Sequence, residues 1–332
     1  MTGKNRVCVI GSNSFSAIDF IDLLLKEERF NVLGVSRSAM KNKLFLAESL
    51  SSSEDFRYHQ IDLNHEIDKL SSLLDEFEPE YIVNFAAQSE VAPSWEHPEH
   101  WYQTNVVAVT KLTHMLKGKS YLKKYVHISS PEVYGACSGN VKEEAPLNPS
   151  TPYAASKAGG DLSLLTYYKN FDFPVTFVRA TNVYGVRQQL FKIIPRSAIY
   201  LKSDRKIELH GGGEAIKSYI HIRDVSIGEL AIMENGRVGE IYHLSPDQGI
   251  KVNELVKHIC SAMRYDFNSS TRIVKERLGQ DAAYVIDSSK ARQELGWKPK
   301  IGIEEGVGEM VGWVEKNWKS IQRQPLEYIH KP

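Results

Sequence analysis

The first half of this chain alternates short runs of β-branched residues with longer amphipathic stretches, and this rhythm constrains the fold more than any other feature. Strands are predicted at residues 6–10, 31–35, 56–60, 81–85, 124–128 and 175–178. Helices are predicted at residues 17–26, 66–77, 101–117 and 153–169. Because such alternation needs crossover connections, it predicts an α/β fold with a mostly parallel, doubly wound sheet and helices on both faces.

The rhythm changes after about residue 184. Helices are then predicted at residues 188–201, 252–263 and 304–318, with a strand and a glycine turn at residues 207–213. The change predicts two domains: a sheet domain of residues 1–185 with about 219–245, and a smaller α/β domain of residues 186–218 and 246–332. Ligands of open α/β sheets bind at the carboxyl ends of the strands, so the smaller domain is expected to close over that edge.

Composition narrows the class of protein. The 332 residues carry 41 basic and 41 acidic side chains, and this balance argues against a general nucleic-acid binder. No apolar run approaches the ~18 residues that span a bilayer, and the first predicted strand starts too early for a signal peptide. Cys8, Cys137 and Cys260 lie far apart, which predicts reduced thiols in a cytoplasmic protein. The histidines lack ligand spacing, so no metal site is predicted.

The first predicted strand runs into Gly11, at the position of the glycine-rich turn of nucleotide-binding sheets. A pyrophosphate there needs a tight turn and backbone N–H groups at a helix N-terminus. Ser14 and Ala17 replace the second and third glycines; alanine is small enough for the helix packing, and Ser14 offers a hydroxyl to a phosphate. An ordinary strand-to-helix turn explains the segment equally well. The residues assigned to the cofactor here are Gly11, Asn13, Ser14, Phe15 and Ser16.

The second predicted strand ends in Ser36 and Arg37 rather than in the carboxylate that binds a free ribose 2′-hydroxyl. A carboxylate would repel a 2′-phosphate, whereas Arg37 and Ser36 would bind it. The pattern favours NADP, with NAD as the alternative, and a solvated loop charge is the competing interpretation of Arg37. Asp62 and Leu63, after the third strand, are assigned to the adenine, although aspartate also ends strands for reasons of turn geometry alone.

Tyr153 and Lys157 are four residues apart at the start of a predicted helix, which places the phenol and the ammonium on one face. The charge of Lys157 is expected to favour the phenolate and to bring the pKa of Tyr153 down from ~10 toward working pH. Such a tyrosinate can take a proton from a hydroxyl while a hydride leaves the same carbon. The spacing also arises by chance, but the position of the pair, one helix length after Ser129 and Ser130, supports the catalytic interpretation.

Seven short segments along the chain carry motifs of a known enzyme family, in the family's order. They are NFAAQS at 84–89, TNV at 104–106, HISSPEVYG at 127–135, YAASK at 153–157, RATNVYG at 179–185, KSYIHIRDV at 217–225 and DSSKARQELGWKP at 287–299. Together they resemble the extended short-chain dehydrogenase/reductases, in particular the branch of nucleotide-sugar 4,6-dehydratases and epimerases. The resemblance covers nearly the whole chain. It implies a Rossmann-type sheet domain that binds NADP or NAD, and a smaller domain that binds a nucleotide sugar.

Within that branch, the segment after the fifth strand separates the activities. Epimerases usually carry small residues before the Val-Tyr-Gly motif, whereas dehydratases carry a glutamate. This chain has Glu132 there, so the resemblance implies a 4,6-dehydratase in which Glu132 removes the C5 hydrogen. Tyr153 would take the O4 proton with Lys157 as its electrostatic partner, and Ser130 would hydrogen-bond O4. Pro131 departs from the dTDP-glucose type, which has an aspartic acid there, because proline has no proton to give.

The resemblance also implies residues that contact the ligands. For the cofactor these are Ala86, Ala87, Ser89 and Asn105, together with Tyr153 and Lys157. For the nucleotide sugar they are Gln88, Ser130, Glu132, Asn182, Gln188, Lys192, His210, Lys217 and Arg277. Lysine at position 217 keeps the charge of the arginine usual in the family but loses its bidentate fork. Family members usually pair through the helices at 101–117 and 153–169, which implies a homodimer.

Two alternatives stay open. A sugar 4-epimerase or 4-reductase would use the same Tyr153 and Lys157, with Glu132 as a structural carboxylate. A non-catalytic dinucleotide-binding module would fit Ser14 and Ala17 at the turn, but such modules commonly lack the tyrosine and lysine pair that this chain has.

Overall fold

The computed structural model describes residues 3–137, 141–275 and 283–332 of the chain. Its strands, in chain order, are β1 (Asn5–Ile10), β2 (Phe30–Ser36), β3 (Phe56–Gln60), β4 (Tyr81–Asn84), β5 (Lys124–Ile128), β6 (Val175–Ala180), β7 (Asn182–Tyr184), β8 (Ile207–His210), β9 (Ile216–Lys217), β10 (Tyr219–His221), β11 (Ile241–Leu244), β12 (Ile250–Lys251), β13 (Thr271–Val274) and β14 (Ala283–Tyr284). Seven of them form one parallel sheet in the order β11-β6-β5-β4-β1-β2-β3. The predicted doubly wound parallel sheet is therefore confirmed.

The strand order places the start of the chain at the middle of the sheet. β1 pairs with β2 on one side and with β4 on the other, so that Val7 lies opposite both Val32 and Tyr81. The chain changes direction across the sheet at this point, and the carboxyl ends of β1 and β4 flank a crevice. β11 extends the sheet beside β6. It was not predicted because its four residues, which include the polar His243, are too few to show a clear alternation.

The helices, in chain order, are α1 (Phe15–Lys26), α2 (Ser49–Ser52), α3 (Ile67–Phe77), α4 (Pro98–Tyr102), α5 (Val109–Leu116), α6 (Pro152–Phe171), α7 (Ile193–Lys202), α8 (Ile222–Asn235), α9 (Val252–Met263), α10 (Phe267–Ser270), α11 (Ser289–Leu295), α12 (Ile303–Lys316) and α13 (Trp318–Ile321). Short 3₁₀ turns lie at Lys43–Phe45, Ala92–Trp95, Pro131–Tyr134 and Gly211–Gly213. α1 and α8 pack on one face of the sheet, and α3, α5 and α6 pack on the other. Within the described ranges, no helix has the length and apolar character to cross a membrane.

The helix predicted at residues 101–117 is not one regular helix. α4 and α5 are joined by a π-helical turn, Gln103–Ala108. The side chain of Asn105 in this turn accepts from the N–H of Gln88 (2.9 Å) and donates to its carbonyl (3.0 Å), which fastens the turn to the loop after β4. Gly160 of α6 makes room for the turn, because a Cβ there would lie 2.4 Å from the carbonyl oxygen of Asn105.

Two other helix predictions differ at their ends. The helix predicted at residues 188–201 begins later, at Ile193. Pro195 explains the late start, because proline lacks an N–H and its ring clashes with the carbonyl four residues earlier, so it fits only the first turn. The helix predicted at residues 304–318 ends at Lys316, and the short α13 follows.

α7, α9 and α12 share an apolar cluster that is separate from the two clusters beside the central sheet. Its buried members include Ile194, Ile259 and Met310. A core of this kind is compatible with a second, smaller domain. The predicted domain boundaries, residues 1–185 with about 219–245 and residues 186–218 with 246–332, stay a prediction.

A buried ion pair fastens α6 to the sheet. Asp161 of α6 and Arg179 of β6 are 0% and 2% exposed, and Oδ2 lies 2.7 Å from Nη2. Ser129, directly after β5, donates to the same carboxylate oxygen at 2.7 Å. The guanidinium of Arg179 also donates to the hydroxyl of Tyr134. The pair therefore connects α6 with the segments that follow β5 and with β6.

Replacement of Asp161 by asparagine should destabilise the fold strongly, because the charge of Arg179 would stay buried without a counter-charge. The expected loss is about 3–5 kcal/mol in the free energy of unfolding, measured by urea titration. Asp55→Asn is the control, since its ion pair with Lys4 is one-third exposed and should contribute about 0–1 kcal/mol. Equal losses in the two variants would contradict the role of the buried pair.

Candidate active site

A cavity of about 720 Å³ opens at the carboxyl ends of β5, β6 and β7. Ligands of parallel α/β sheets bind at this edge, so its position agrees with the fold. Many of the predicted site residues line it: Ser16, Ser89, Ser130, Glu132, Tyr153, Asn182, Gln188, Lys192 and Lys217.

Two helix starts position the side chains of Tyr153, Ser130 and Glu132 at the cavity. Thr151 caps α6 by accepting from a backbone N–H of the first turn (3.1 Å), and Tyr153 is the second residue of the helix. Ser130 caps the turn Pro131–Tyr134 by accepting from the N–H of Glu132 (3.2 Å), a geometry that suits a proline at the first position. Tyr153 is hydrogen-bonded to Ser130. The structure thus brings a phenol, a hydroxyl and a carboxyl group together in one cavity.

The predicted lowering of the Tyr153 pKa is wrong for the protein in this state. Burial raises the pKa of the phenol well above its ordinary value, the charge of Glu132 raises it further, and the hydrogen bond with Ser130 lowers it by less. The ammonium of Lys157 donates to the carbonyl of Ile128 at 2.7 Å. Tyr153 is therefore protonated at neutral pH.

Lys157 lies one helical turn behind Tyr153 and is only 2% exposed. Burial lowers the pKa of the Lys157 ammonium to about 8. The carboxylate of Asp161 opposes this shift, and the positive charge of Arg179 adds to it. Close to neutral pH, the site therefore holds an amine that is near its titration point.

The turn after β1 fits a dinucleotide pyrophosphate. Gly11 has a φ of 79°, and a Cβ there would lie 2.5 Å from the backbone nitrogen of Ala86. The chain then enters α1 through Phe15 and Ser16, and Ser14 accepts from the N–H of Ala17 at 3.2 Å. Because the first turn of a helix presents N–H groups and positive partial charge, this cradle suits an anionic group.

The other predicted cofactor residues lie along the same edge of the sheet. Ser36 ends β2, Asp62 and Leu63 follow β3, and Ala86, Ala87 and Ser89 follow β4. The amide of Asn13 has a structural task, because it donates to the carbonyls of Ser38 (3.0 Å) and Ala39 (2.9 Å) and so holds the loop after β2. Asp62 accepts from the N–H of Asn64 at 2.8 Å, the turn geometry that aspartate favours.

The C-terminal segment, residues 327–332, contacts two predicted ligand-binding residues. The guanidinium of Arg37 donates to the carbonyl of Lys331 at 3.1 Å, and the amide of Gln88 donates to the same oxygen at 2.6 Å. Arg37 follows β2 and Gln88 follows β4, so the segment crosses the crevice above β1. No local pattern predicts this contact, because the partners are 294 and 243 residues apart.

His330 of this segment lies in a cluster of rings. Its centroid is 5.4 Å from that of His97, 5.1 Å from His100 and 5.2 Å from Trp101. His97, Glu99 and His100 place ligand atoms within 4.8 Å of one another, so the histidines are less scattered than predicted. The imidazoles of His97 and His100 lie at 9° and 18° to that of His330, and Nδ1 of His100 is 2.8 Å from Nε2 of His330. These contacts pack the C-terminal segment against residues 97–101, and the absence of a metal site stays a prediction.

The predicted substrate residues in the cavity have protein partners. Lys192 forms an ion pair with Glu90, with 2.8 Å between Nζ and Oε1. Gln188 donates to the carbonyl of Val183 at 2.8 Å, and its Oε1 is buried without a partner among the described residues. That oxygen is therefore available to accept from a ligand.

Among the predicted substrate residues that the structure describes, Gln88 and His210 do not line the cavity. His210 ends β8, and its Nδ1 donates to the carbonyl of Lys275 at 2.9 Å. Arg277 lies outside the described residues. Their predicted contacts with the nucleotide sugar stay predictions.

The cavity residues that were not predicted include two acids and a tyrosine: Glu90, Glu229 and Tyr328. Glu90 directly follows the segment 84–89 that carries the family resemblance, and this position could have marked it as a site residue. Glu229 interrupts the apolar face of α8 one turn after Val225, and a charged residue on such a face is also a signal. Tyr328 packs edge-on against Phe191 (centroids 5.6 Å apart), a contact that no local pattern indicates.

Lys157 should make the stability of the protein depend on pH. Its pKa is about 8 in the folded chain and 10.5 for the ordinary group, so the unfolded chain binds more protons between these values. The free energy of unfolding should therefore rise as the pH rises from 8 to 10.5, and this gain should be lost as the pH falls through 8. Urea unfolding should show the gain in the wild type relative to Lys157→Met. A difference that does not change with pH would contradict the burial of a titrating ammonium.

Comparison with known proteins identifies the family. Residues 10–310 match the family model described as GDP-mannose 4,6 dehydratase. The dTDP-D-glucose 4,6-dehydratase of Mus musculus is 29% identical over 335 residues, which cover 96% of this chain and 92% of the mouse protein. The solved dTDP-glucose 4,6-dehydratase of Streptomyces venezuelae, with NAD bound, is 30% identical with a TM-score of 0.88, over 95% of this chain and 98% of that one. The chain belongs to the GDP-mannose 4,6-dehydratase family.

Proposed function

We propose that this protein is a nucleotide-sugar 4,6-dehydratase, which converts an NDP-hexose to an NDP-4-keto-6-deoxyhexose. The observation that carries this function is the carboxyl group of Glu132 in one cavity with Tyr153 and Ser130. Glu132 lies close enough to Tyr153 for its charge to raise the pKa of the phenol. A phenol base beside a carboxylate base supplies the two proton removals that this reaction needs, from O4 and from C5.

The reaction begins with oxidation at C4. Tyr153 takes the O4 proton, Ser130 hydrogen-bonds O4, and a hydride leaves C4. When bound, a nicotinamide dinucleotide would supply the hydride acceptor and a positive ring charge, and that charge would favour the Tyr153 phenolate, which burial disfavours. Lys157 adds a second positive charge on the same helix face while it is protonated.

Elimination of water follows. The C4 ketone makes the C5 hydrogen acidic, and Glu132 removes it as a proton. Pro131 has no proton for the departing C6 oxygen, so protonated Glu132 returns its own, and a C5–C6 double bond forms as water leaves. The hydride then adds to C6 and a proton to C5. Two protons leave the sugar, from O4 and C5, and two are used, in water and at C5, so the balance closes.

We infer that NADP is the cofactor and that NAD is the alternative. β2 ends in Ser36 without the carboxylate that would repel a 2′-phosphate, and Arg37 follows it. The guanidinium of Arg37 donates to the backbone oxygens of Lys331 and Pro332, and a 2′-phosphate would take the place of these acceptors in a charge-assisted contact. The relatives solved with NAD bound support a nicotinamide dinucleotide as the cofactor. The preference for the 2′-phosphate rests on Ser36 and Arg37 alone.

We also infer a homodimer that forms through α4, α5 and α6, in line with the family resemblance. Four large apolar side chains on these helices and the π turn between them are exposed: Tyr102, Val107, Leu162 and Phe171. Such a face is typical of a surface that pairs with a second copy, and sedimentation analysis measures the state directly. The cytoplasmic location stays a prediction.

The function is tested with a panel of nucleotide hexoses, incubated with NADP and with NAD and analysed by mass spectrometry. The wild type should give a product lighter by one water. Glu132→Gln should lose at least about 100-fold in water loss, because the C5 base is gone, while hydride transfer from C4 to the cofactor remains measurable by absorbance.

Glu144→Gln is the matched control, because Glu144 is an exposed carboxylate of the same stretch of chain. It should leave both readings unchanged. Unchanged sugar masses with the wild type, together with a C4 epimer separated by chromatography, would instead favour a 4-epimerase on the same scaffold. Full water loss by Glu132→Gln would contradict the role of Glu132 as the C5 base.

Arg37→Ala should change cofactor preference. Loss of a charge-assisted contact to the 2′-phosphate should weaken NADP binding by about 10–100-fold and leave NAD binding nearly unchanged, as measured by calorimetric titration. NAD on the same variant is the internal control for the fold. Equal effects on the two cofactors would overturn the inference for NADP.

A further inference from the structure

Glu229 is a buried carboxyl group that the mechanism above does not use. It lies on α8, is 1% exposed and lines the same cavity as Ser16 and Thr181. Its Oε2 is buried and has no hydrogen-bond partner among the described residues. A buried polar atom without a partner is unfavourable in a native structure, so a ligand that supplies the missing partner is the physical expectation.

The surroundings of Glu229 favour the protonated form of its carboxyl group. Burial raises the pKa of its carboxyl group well above the usual value, and the nearby charge of Asp19 raises it further. Asp19 keeps its own charge compensated, because its carboxylate accepts from Arg223 (2.9 Å) and from Ser226 (2.8 Å).

A neutral carboxyl group presents one O–H donor beside one carbonyl acceptor. A primary carboxamide presents the same pair, an N–H donor beside a carbonyl acceptor, so the two groups can form two parallel hydrogen bonds. A phosphate or a carboxylate offers only acceptors and leaves the carbonyl of Glu229 without a donor. The chemistry of Glu229 therefore matches an amide more completely than an anion.

The surroundings of Glu229 indicate which amide. Ser16 lies in the first turn of α1, next to the cradle that fits the pyrophosphate, whereas Ile128 and Tyr153 lie at the catalytic end of the same cavity. A dinucleotide with its phosphates at α1 and its reactive carbon at Tyr153 would hold its nicotinamide ring in this cavity, which Glu229 and Thr181 also line.

We propose that the carboxyl group of Glu229 binds the carboxamide of the nicotinamide ring and thereby fixes the orientation of the ring toward Tyr153. This inference rests on the proposed function, because that function requires the dinucleotide. Glu229 is a positioning residue: it holds the group whose C4 must face the sugar, and it takes no proton in the reaction.

The test compares two ligands that differ only in the nicotinamide ring, NADP and 2′-phospho-ADP-ribose, in calorimetric titrations of the full chain. Glu229→Leu removes both hydrogen-bonding groups and should weaken NADP binding by about 10–100-fold while leaving 2′-phospho-ADP-ribose unaffected. Glu229→Gln keeps a donor beside an acceptor and should bind NADP within a few-fold of the wild type. Thermal unfolding of each variant verifies that the fold is intact.

Two results would overturn the inference. Equal weakening of both ligands by Glu229→Leu would show that Glu229 supports the structure and not the ring, and unchanged binding of both would show that it contacts neither. A wild-type chain that binds neither NADP nor NAD would contradict the proposed function itself. That outcome is distinct from a Glu229 variant that weakens NADP and 2′-phospho-ADP-ribose equally.

Discussion

The buried ion pair between Asp161 and Arg179 is the interaction on which the active-site geometry depends. α6 carries Tyr153 at its start and Asp161 about two turns later, roughly 12 Å along the helix axis. Because Asp161 binds both Arg179 of β6 and Ser129 after β5, the helix has a fixed position against the two strands that border the cavity. Ser130 follows Ser129 directly, so its distance from Tyr153 follows from the same contacts.

The ion pair also governs the electrostatics behind the cavity. The amine of Lys157 lies between a carboxylate that favours its charge and a guanidinium that disfavours it, and burial decides the outcome. His127 is also buried beside this pair, and burial, Lys157 and Arg179 all lower the pKa of its imidazole well below the usual value. The interior of the site thus holds a neutral histidine and a weakly held lysine proton. With a pKa of about 8, the Lys157 amine is still mostly protonated at pH 7 and supplies positive charge near Tyr153.

Much of the fold could be predicted from the sequence, since strand and helix periods are local properties. The segments 124–128 and 56–60 were predicted with the bounds that the structure has, and the clustering of Ser130, Glu132 and Tyr153 in one cavity follows from motifs at strand and helix ends. The π turn at Gln103–Ala108 could not be predicted, because it depends on the contact of Asn105 with a distant loop.

The larger error of the sequence analysis was the predicted lowering of the Tyr153 pKa. A four-residue spacing shows that Tyr153 and Lys157 share a helix face, but it does not show that the phenol is buried beside Glu132. Contacts between distant segments were equally inaccessible: Arg37 and Gln88 meet the carbonyl of Lys331 through the tertiary fold alone. Cofactor and substrate roles stay predictions for the individual side chains, while their placement at one edge of the sheet is a property of the fold.

The most direct measurement follows the hydride itself. A nucleotide hexose deuterated at C4 is incubated with the protein, and the product is analysed by mass spectrometry and by NMR. The internal transfer predicted here gives a sugar that has lost one water and carries the deuterium at C6. Deuterium that remains at C4 of a sugar of unchanged mass, or a dehydrated sugar without the label, would contradict a dehydratase that returns its hydride to the same molecule.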